Sequence, residues 1–232
     1  MNSVQYYPRH RFPVDVISQC VWLYFRFSPS LLDVEMMMAE RGVVLSYETV
    51  RNWCDKYGQQ YAKRLKKRRG PMGDTWHLDE VYLKIDGRLQ YLWRAVDQEG
   101  GVIDILVQSR RNAGAASRFF RKLLRFEPGQ PRTIVTDRLG SYSAALRGLL
   151  SVEHVRNKGA NNRAENSHQP TRERERRRRR FRSACEAQRF LSIFSPICNH
   201  FRNSRHAMKA ANHRTVMARR FAEWREICAM NT

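Results

Sequence analysis

The stretch TWHLDEVYLKIDGRLQYLWRAVDQEGGVIDILVQS, residues 75–109, decides the fold of this chain. Runs rich in Val, Ile, Tyr and Trp are separated by Asp86-Gly87 and by Glu99-Gly100-Gly101. Short turns that contain glycine between such runs are typical of β-hairpins. The stretch therefore predicts three antiparallel strands joined by tight turns, at residues 75–85, 88–97 and 102–109.

Helix and strand alternate in the sequence that follows. We expect a helix over Asn112–Arg125, a short buried strand over Arg132–Thr136, a second helix over Leu139–Leu150 and a fifth strand over Val152–Val155. From about Arg163 the chain is predicted to be mostly helical. Hairpins followed by alternating helix and strand indicate an α/β fold, a mixed five-stranded sheet flanked by helices.

Residues 15–57, before the sheet, are predicted to be helical. Ser30 can cap a second helix after a Ser-Pro-Ser break, and a third helix begins at Ser46. A short helix, a glycine turn and a third helix that exposes Arg51, Asn52 and Lys56 is a helix-turn-helix pattern of the kind that binds DNA. A plain three-helix bundle packed on the main domain is the alternative, and the charge of the chain favours DNA binding.

Composition indicates a folded protein with a polyanionic partner. The 232 residues are 42% hydrophobic and 11% aromatic, enough for a core, and the net charge is +21. Such an excess of base is typical of proteins that bind DNA or RNA, because Lys and Arg release counterions from the phosphates. A basic protein of the membrane surface is the rival interpretation, but no amphipathic helix with a basic face supports it.

The charge is unevenly distributed, at +6 over residues 1–70, +3 over 71–150 and +12 over 151–232. A protein that only coats nucleic acid has little reason to keep acids in its centre. The five cysteines form no C-x-x-C pair, which fits a reducing compartment. The sequence shows neither a signal peptide nor a membrane span, so we expect a cytoplasmic protein.

Four segments follow from these patterns. We expect a helix-turn-helix domain at residues 1–60, a basic linker at 61–74, a catalytic domain at 75–182 and a helical, basic C-terminal segment at 183–232. The linker ends in Gly-Pro-Met-Gly, and its Lys66, Lys67 and Arg68 would suit a phosphate backbone.

Three acids are candidates for chemistry. Asp79 lies in the first strand, Asp137 follows the fourth strand, and Glu165 precedes an arginine-rich run. In ordinary roles, Asp79 would be a solvent-facing strand residue, Asp137 would cap a helix, and Glu165 would be a polar surface residue. Neighbouring strands can instead bring them together as ligands of two Mg²⁺ ions, with Mn²⁺ as the alternative metal. The choice stays open, because the chain has other acids: Glu80, Asp86, Asp97, Asp104 and Glu153.

Three blocks carry a resemblance to a known family: WHLDEVYLKIDGRLQYLWRAVD at 76–97, VTDRLGSY at 135–142 and NNRAENSHQPTRER at 161–174. They resemble the catalytic blocks of bacterial insertion-sequence DDE transposases, most closely the small-element group that moves by cointegrate formation. The resemblance implies a ribonuclease H-like catalytic domain with Asp79, Asp137 and Glu165 as metal ligands. It also implies a contact of Arg172 with DNA near the scissile phosphate. The chain departs from the group in a shorter segment between Asp137 and Glu165 and in arginine, rather than the frequent lysine, at position 172.

The basic residues after Glu165 are further candidates for DNA contacts. His168 could contact phosphate or orient water, and a solvated polar residue is the alternative. Arg174 and Arg176 belong to a run that could form a track for flanking DNA.

The activity that the resemblance implies is transposition: binding of the terminal inverted repeats, Mg²⁺-dependent cleavage at the 3′ ends, and joining of those ends to target DNA. The working unit would be a homodimer or larger. The alternatives are a metal-dependent nuclease and an inactive or regulatory DNA-binding protein derived from a transposase.

Overall fold

The computed structural model describes residues 4–70, 72–126, 129–137, 139–146, 152–157, 169–177, 181–202 and 208–229. The chain divides into two units, one formed by Met1–Arg69 with Ile193–Thr232 and the other by Gly70–Ser192. Within the described ranges, no helix combines the length and the apolar character that crossing a membrane requires.

The described helices and strands follow the order that the sequence predicts. They are α1 (Val14–Phe27), α2 (Leu31–Ala39), α3 (Tyr47–Arg68), β1 (Thr75–Ile85), β2 (Arg88–Asp97), β3 (Val102–Gln108), α4 (Ala113–Phe126), β4 (Thr133–Thr136), α5 (Gly140–Leu146), β5 (Glu153–Arg156), α6 (Gln169–Arg177), α7 (Ala184–His200) and α8 (Ala210–Ala229).

The first unit begins with α1, α2 and α3, and both predicted capping serines are confirmed. The Ser30 hydroxyl accepts a hydrogen bond from the Asp33 backbone, and the Asp33 carboxylate accepts one from the Ser30 backbone. Ser46 caps α3 through the backbone N–H of Thr49. These bonds satisfy N–H groups that have no partner inside the helix, so the short α2 can start sharply.

Helix α3 is longer than the sequence predicts, because it continues through residues 61–68 of the expected linker. Tyr61, Ala62 and Leu65 are buried, and their spacing keeps one side of the helix in the core. The exposed basic residues of this part, Lys63, Lys67 and Arg68, lie on the outer side of the same helix. The connection between α3 and β1 is therefore only residues 69–74.

The C-terminal helix α8 packs on α1 and α3 in this first unit. The Trp224 ring contacts the Tyr61 ring edge-on at 5.2 Å, and Arg64 donates a hydrogen bond to the Ile227 carbonyl at 2.6 Å. The segment expected at 183–232 is thus divided. Residues 184–192 of α7 belong to the sheet unit, and residues from Ile193 onward belong to the N-terminal unit.

The second unit contains a five-stranded sheet in the order β3-β2-β1-β4-β5. β1, β2 and β3 pair antiparallel, whereas β4 pairs parallel to both β1 and β5. Asp86 and Gly87 have positive φ angles of 48° and 72°, which form the tight turn of the first hairpin. The predicted mixed five-stranded sheet is confirmed.

Helices cover both faces of this sheet. On one face Leu78 and Trp93 pack against Phe119 of α4 and Tyr142 of α5 in a buried apolar cluster. On the other face the buried Arg94 donates a hydrogen bond to Thr171 of α6. Because successive side chains of a strand point to opposite faces, neighbouring residues of β1 belong to different environments.

Candidate active site

The structure brings Asp79 and Asp137 together. In the parallel pair of β1 and β4, Leu78 lies opposite Thr136, so the next residue of each strand is an aspartate. One carboxylate oxygen from each aspartate and one from Glu80 all lie within 4.8 Å of one another. β4 ends at Thr136 while β1 continues beside β2, which leaves the two aspartates at the end of the shorter strand.

Asp79 is harder to ionise than an ordinary aspartate in the metal-free protein. Its pKa is raised from 3.8 to about 6, chiefly by burial and further by the charge of Asp137. A hydrogen bond from the Glu80 backbone and the guanidinium groups of Arg111 and Arg172 lower the pKa and so limit the rise. Two carboxylates this close cannot both carry full charge cheaply unless a cation lies beside them.

Asp137 lies in the turn between β4 and α5, and its two carboxylate oxygens have different neighbours. Its Oδ1 accepts a hydrogen bond of 2.9 Å from the Leu139 backbone, just before α5 begins. Its Oδ2 lies 3.7 Å from Nη2 of Arg111. One oxygen therefore fixes the turn into the helix, while the other faces the candidate site.

Glu80 is the third acid of this cluster, and sequence reasoning did not distinguish it from the other acids of the chain. Its side chain is 1% exposed. Oε1 accepts a hydrogen bond from Nε of Arg111 and Oε2 accepts one from the Tyr142 hydroxyl, each at 2.5 Å. Burial raises the pKa of Glu80, and these two hydrogen bonds oppose the rise.

Arg111 and Tyr142 were not singled out by sequence reasoning either. Arg111 lies two residues before α4 begins, and Tyr142 belongs to α5. Their hydrogen bonds to Glu80 form only when α4 and α5 pack on the sheet. An adjacent pair of acids in β1 was the only sign of it in the sequence.

The structure separates the basic residues of α6. Arg172 is exposed and close enough to Asp79 to lower its pKa. Arg174 is fully buried, with its guanidinium 5.2 Å from the centre of the Phe190 ring. The expected contact of Arg174 with DNA is therefore not supported, because Arg174 lies on the same buried side of the helix as Thr171, three residues earlier.

Three other predicted residues cannot be placed in the same way. Glu165 and His168 lie outside the described residues. Arg176 belongs to α6, but its side chain lies outside the described part of the chain.

The predicted DNA-contacting residues of α3 lie on its outer side. Arg51, Asn52 and Lys56 are exposed, and Arg51 forms an ion pair of 2.6 Å with Glu48. Lys66, Lys67 and Arg68 form the last turn of the same helix. Arg68 pairs with Glu226 of α8 at 2.8 Å, so part of its charge is already compensated within the first unit.

His154 of β5 lies beside β4, the strand that Asp137 follows. Its Nε2 forms a hydrogen bond of 2.9 Å with the Thr136 hydroxyl, which in turn lies 2.9 Å from the Asp137 carbonyl oxygen. Burial, followed by the charge of Arg156, lowers the pKa of His154. A neutral imidazole here stabilises the end of β4 without adding charge to the site.

Comparisons with known proteins identify the family of this chain. A family model described as a DDE domain matches residues 73–204. A transposase of the insertion sequence-like element IS431mec from Staphylococcus aureus strain Mu50 is 30% identical over 171 residues, which are 71% of this chain and 76% of the relative. The transposase of element IS257 in transposon Tn4003 of Staphylococcus aureus gives the same identity and coverage.

Two solved structures with similarity to the chain contain viral proteins. One is a simian T-cell lymphotropic virus intasome bound to a PP2A regulatory subunit, 18% identical, with a TM-score of 0.41 over 55% of this chain and 49% of that chain. Another is the HTLV-2 integrase catalytic core domain in complex with magnesium, 18% identical, with a TM-score of 0.34 over 40% of this chain and 68% of that chain.

Proposed function

Since this chain belongs to the family of insertion-sequence DDE transposases, we propose that it binds the terminal inverted repeats of its element, cleaves the 3′ ends and joins them to target DNA. The observation that carries the proposal is the pair formed by Asp79 and Asp137. One carboxylate oxygen of each lies within 4.8 Å of the other, where β4 ends beside the parallel strand β1. This edge of an α/β sheet is where ligand-binding groups commonly lie.

The donor set of this site fits a hard divalent cation. The described cluster offers only carboxylate oxygens, and such ligands favour Mg²⁺ or Mn²⁺ over zinc. We assign Asp79 and Asp137 as ligands and Glu165 as the third, with Glu80 already engaged by Arg111 and Tyr142. A pair of Mg²⁺ ions, when bound, activates the attacking oxygen and stabilises the leaving oxygen of a phosphoryl transfer.

The protein must also draw an anionic phosphate to a cluster of acids. Arg111 and Arg172 both lower the pKa of Asp79, which places two positive charges around the carboxylate pair. Arg172 is exposed, so it can contact the DNA backbone near the cleaved bond. These cations offset the repulsion between the carboxylates and the phosphate.

We assign recognition of the element ends to α2 and α3. Trp53 and Tyr57 hold the inner side of α3 in the core, and Arg51, Asn52 and Lys56 are exposed on its outer side. A helix that exposes these side chains can read bases and bind phosphates in a major groove. Because two element ends must be held together, we infer a dimer or larger assembly on DNA, acting in the bacterial cytoplasm at the nucleoid.

The test is incubation of the protein with labelled end DNA, a target plasmid and Mg²⁺. Joined products would support transposition, cleavage without joining would support a nuclease, and a shift in mobility alone would support a DNA-binding regulator. Asp79→Asn should remove cleavage and joining and retain binding. Asp86→Asn is the matched control, because Asp86 is exposed in a hairpin turn where asparagine also tolerates a positive φ angle.

A further inference from the structure

The guanidinium of Arg111 links two acids of the candidate site. Its Nε donates a hydrogen bond of 2.5 Å to Glu80, and its Nη2 lies 3.7 Å from Oδ2 of Asp137. Its Nη1 donates a long hydrogen bond of 3.4 Å to the Tyr82 hydroxyl. Among the described residues, the Nε side of the group is therefore held firmly, whereas the Nη side makes long contacts.

Glu80 and Tyr142 fix this arrangement from the interior. Both oxygens of Glu80 accept short hydrogen bonds, one from Arg111 and one from Tyr142, which is fully buried. Removing the cation from a buried carboxylate strongly destabilises the folded protein, so the ion pair of Glu80 and Arg111 resists separation. Glu80 thus serves to hold Arg111, and its oxygens are occupied without any metal.

The position of Arg111 suits an anionic ligand. Its side chain is 32% exposed, in contrast to the 1% of Glu80, so its Nη side can be approached from solvent. Because Nη2 lies 3.7 Å from Oδ2 of Asp137, a phosphate bound beside that carboxylate would lie within reach of the Nη groups. Arginine suits this task because its planar fork can hold a carboxylate with one side and a phosphate with the other.

We propose that Arg111 is a DNA-contact residue of the active site, and that its Nη groups donate hydrogen bonds to a non-bridging oxygen of the phosphate that is cleaved. Glu80 and Tyr142 are positioning residues that act through Arg111. The inference rests on the proposed function, because it takes the cleaved phosphate of DNA as the ligand of the Asp79–Asp137 pair.

The test compares Arg111→Gln with Arg110→Gln in the full chain. Arg110 is the exposed neighbour, and its replacement removes the same charge without touching Glu80 or Asp137. Affinity for labelled end DNA is measured in Ca²⁺, an ion that also takes oxygen ligands, so that binding is read apart from cleavage. We expect Arg111→Gln to weaken binding about tenfold more than Arg110→Gln, the effect of one charged hydrogen bond.

A modified substrate separates a phosphate contact from a structural role. A methylphosphonate at the element boundary removes the charge of that one phosphate. Wild-type protein should then lose about tenfold in affinity, whereas Arg111→Gln should lose almost nothing further, because the two changes remove the same contact. Arg111→Gln combined with Glu80→Gln leaves no buried unpaired charge, and it replaces the single variant if thermal unfolding shows that the latter does not fold.

The outcomes are distinct. Losses that multiply for protein and substrate, or equal affinities of Arg111→Gln and Arg110→Gln, would overturn the contact. A wild-type protein that binds end DNA but does not cut it in Mg²⁺ would count against the proposed function, while the affinity comparison would still decide the role of Arg111.

Discussion

Asp79 of β1 lies beside Asp137, the residue that follows β4, because the two strands run parallel and their register aligns Leu78 with Thr136. The pairing explains why residues far apart in sequence share one cluster of oxygen atoms. It also places both acids where β4 ends and the sheet continues as β1, β2 and β3. Burial, and secondarily the charge of Asp137, raises the pKa of Asp79 there.

Replacement of Asp79 by asparagine should stabilise the metal-free protein while it abolishes cleavage. The pKa of Asp79 in the folded protein is about 6, above its ordinary value of 3.8, so its ionisation opposes folding. Since one pKa unit corresponds to about 1.4 kcal/mol, we expect Asp79→Asn to raise the free energy of unfolding by up to about 3 kcal/mol at pH 7.5 in EDTA. Urea unfolding measures this difference.

The pH dependence gives the sign of the same effect. In the wild type, the protonated carboxyl group of Asp79 contributes to the free energy of unfolding. This contribution is fully present below pH 3.8 and is lost as the pH rises through about 6. The difference between variant and wild type should therefore grow between pH 4 and pH 6 and level off above. A difference that stays constant across this range would show that the charge of Asp79 is not its cause.

Glu165 is predicted to be the third acid of the site, and its replacement by glutamine should abolish Mg²⁺-dependent cleavage while binding of end DNA is retained. The reason is that glutamine keeps the shape of the side chain but loses the charge that holds a cation. Glu173→Gln is the matched control, because Glu173 is exposed on α6. Cleavage assays with end DNA measure both. Full activity of Glu165→Gln would remove it from the triad and make Glu153 the next candidate.

Most of the fold could be predicted from the sequence because its signals are local. Apolar runs separated by Asp86-Gly87 predicted the hairpin, and Ser30 and Ser46 marked two helix starts. Asp79 and Asp137 could be paired because parallel strands end at one edge of a sheet. The prediction failed for residues 61–68 because a basic composition concealed the buried positions of Tyr61, Ala62 and Leu65.

The hydrogen bonds that hold the side chains around the site could not be predicted in the same way. Glu80, Arg111 and Tyr142 come from a strand, the approach to one helix and another helix, and only tertiary packing shows that they meet. Charge alone also could not separate Arg172 from Arg174. The two residues lie two positions apart in one basic run, and burial decides which of them is available to DNA.

This difference in burial predicts opposite phenotypes for the two arginines of α6. Arg174→Ala should lower the free energy of unfolding by about 2 kcal/mol or more, because it removes a buried side chain packed over Phe190. Arg172→Ala should leave stability within about 0.5 kcal/mol and weaken binding and cleavage of end DNA. Urea unfolding and end-DNA binding of both variants check this. Similar loss of stability in both would show that Arg172 is also structural.

The outer side of α3 predicts how DNA binding depends on salt. Lys56→Gln should weaken binding of end DNA and reduce the slope of log affinity against log salt by about 1, because one phosphate contact releases about one counterion. Lys84→Gln is the matched control, since Lys84 is equally a solvent-exposed lysine but belongs to β1. Fluorescence anisotropy over a range of salt concentrations measures both slopes. Equal slopes for Lys56→Gln and the wild type would remove this residue from the DNA interface and leave α3 as one helix of a structural bundle.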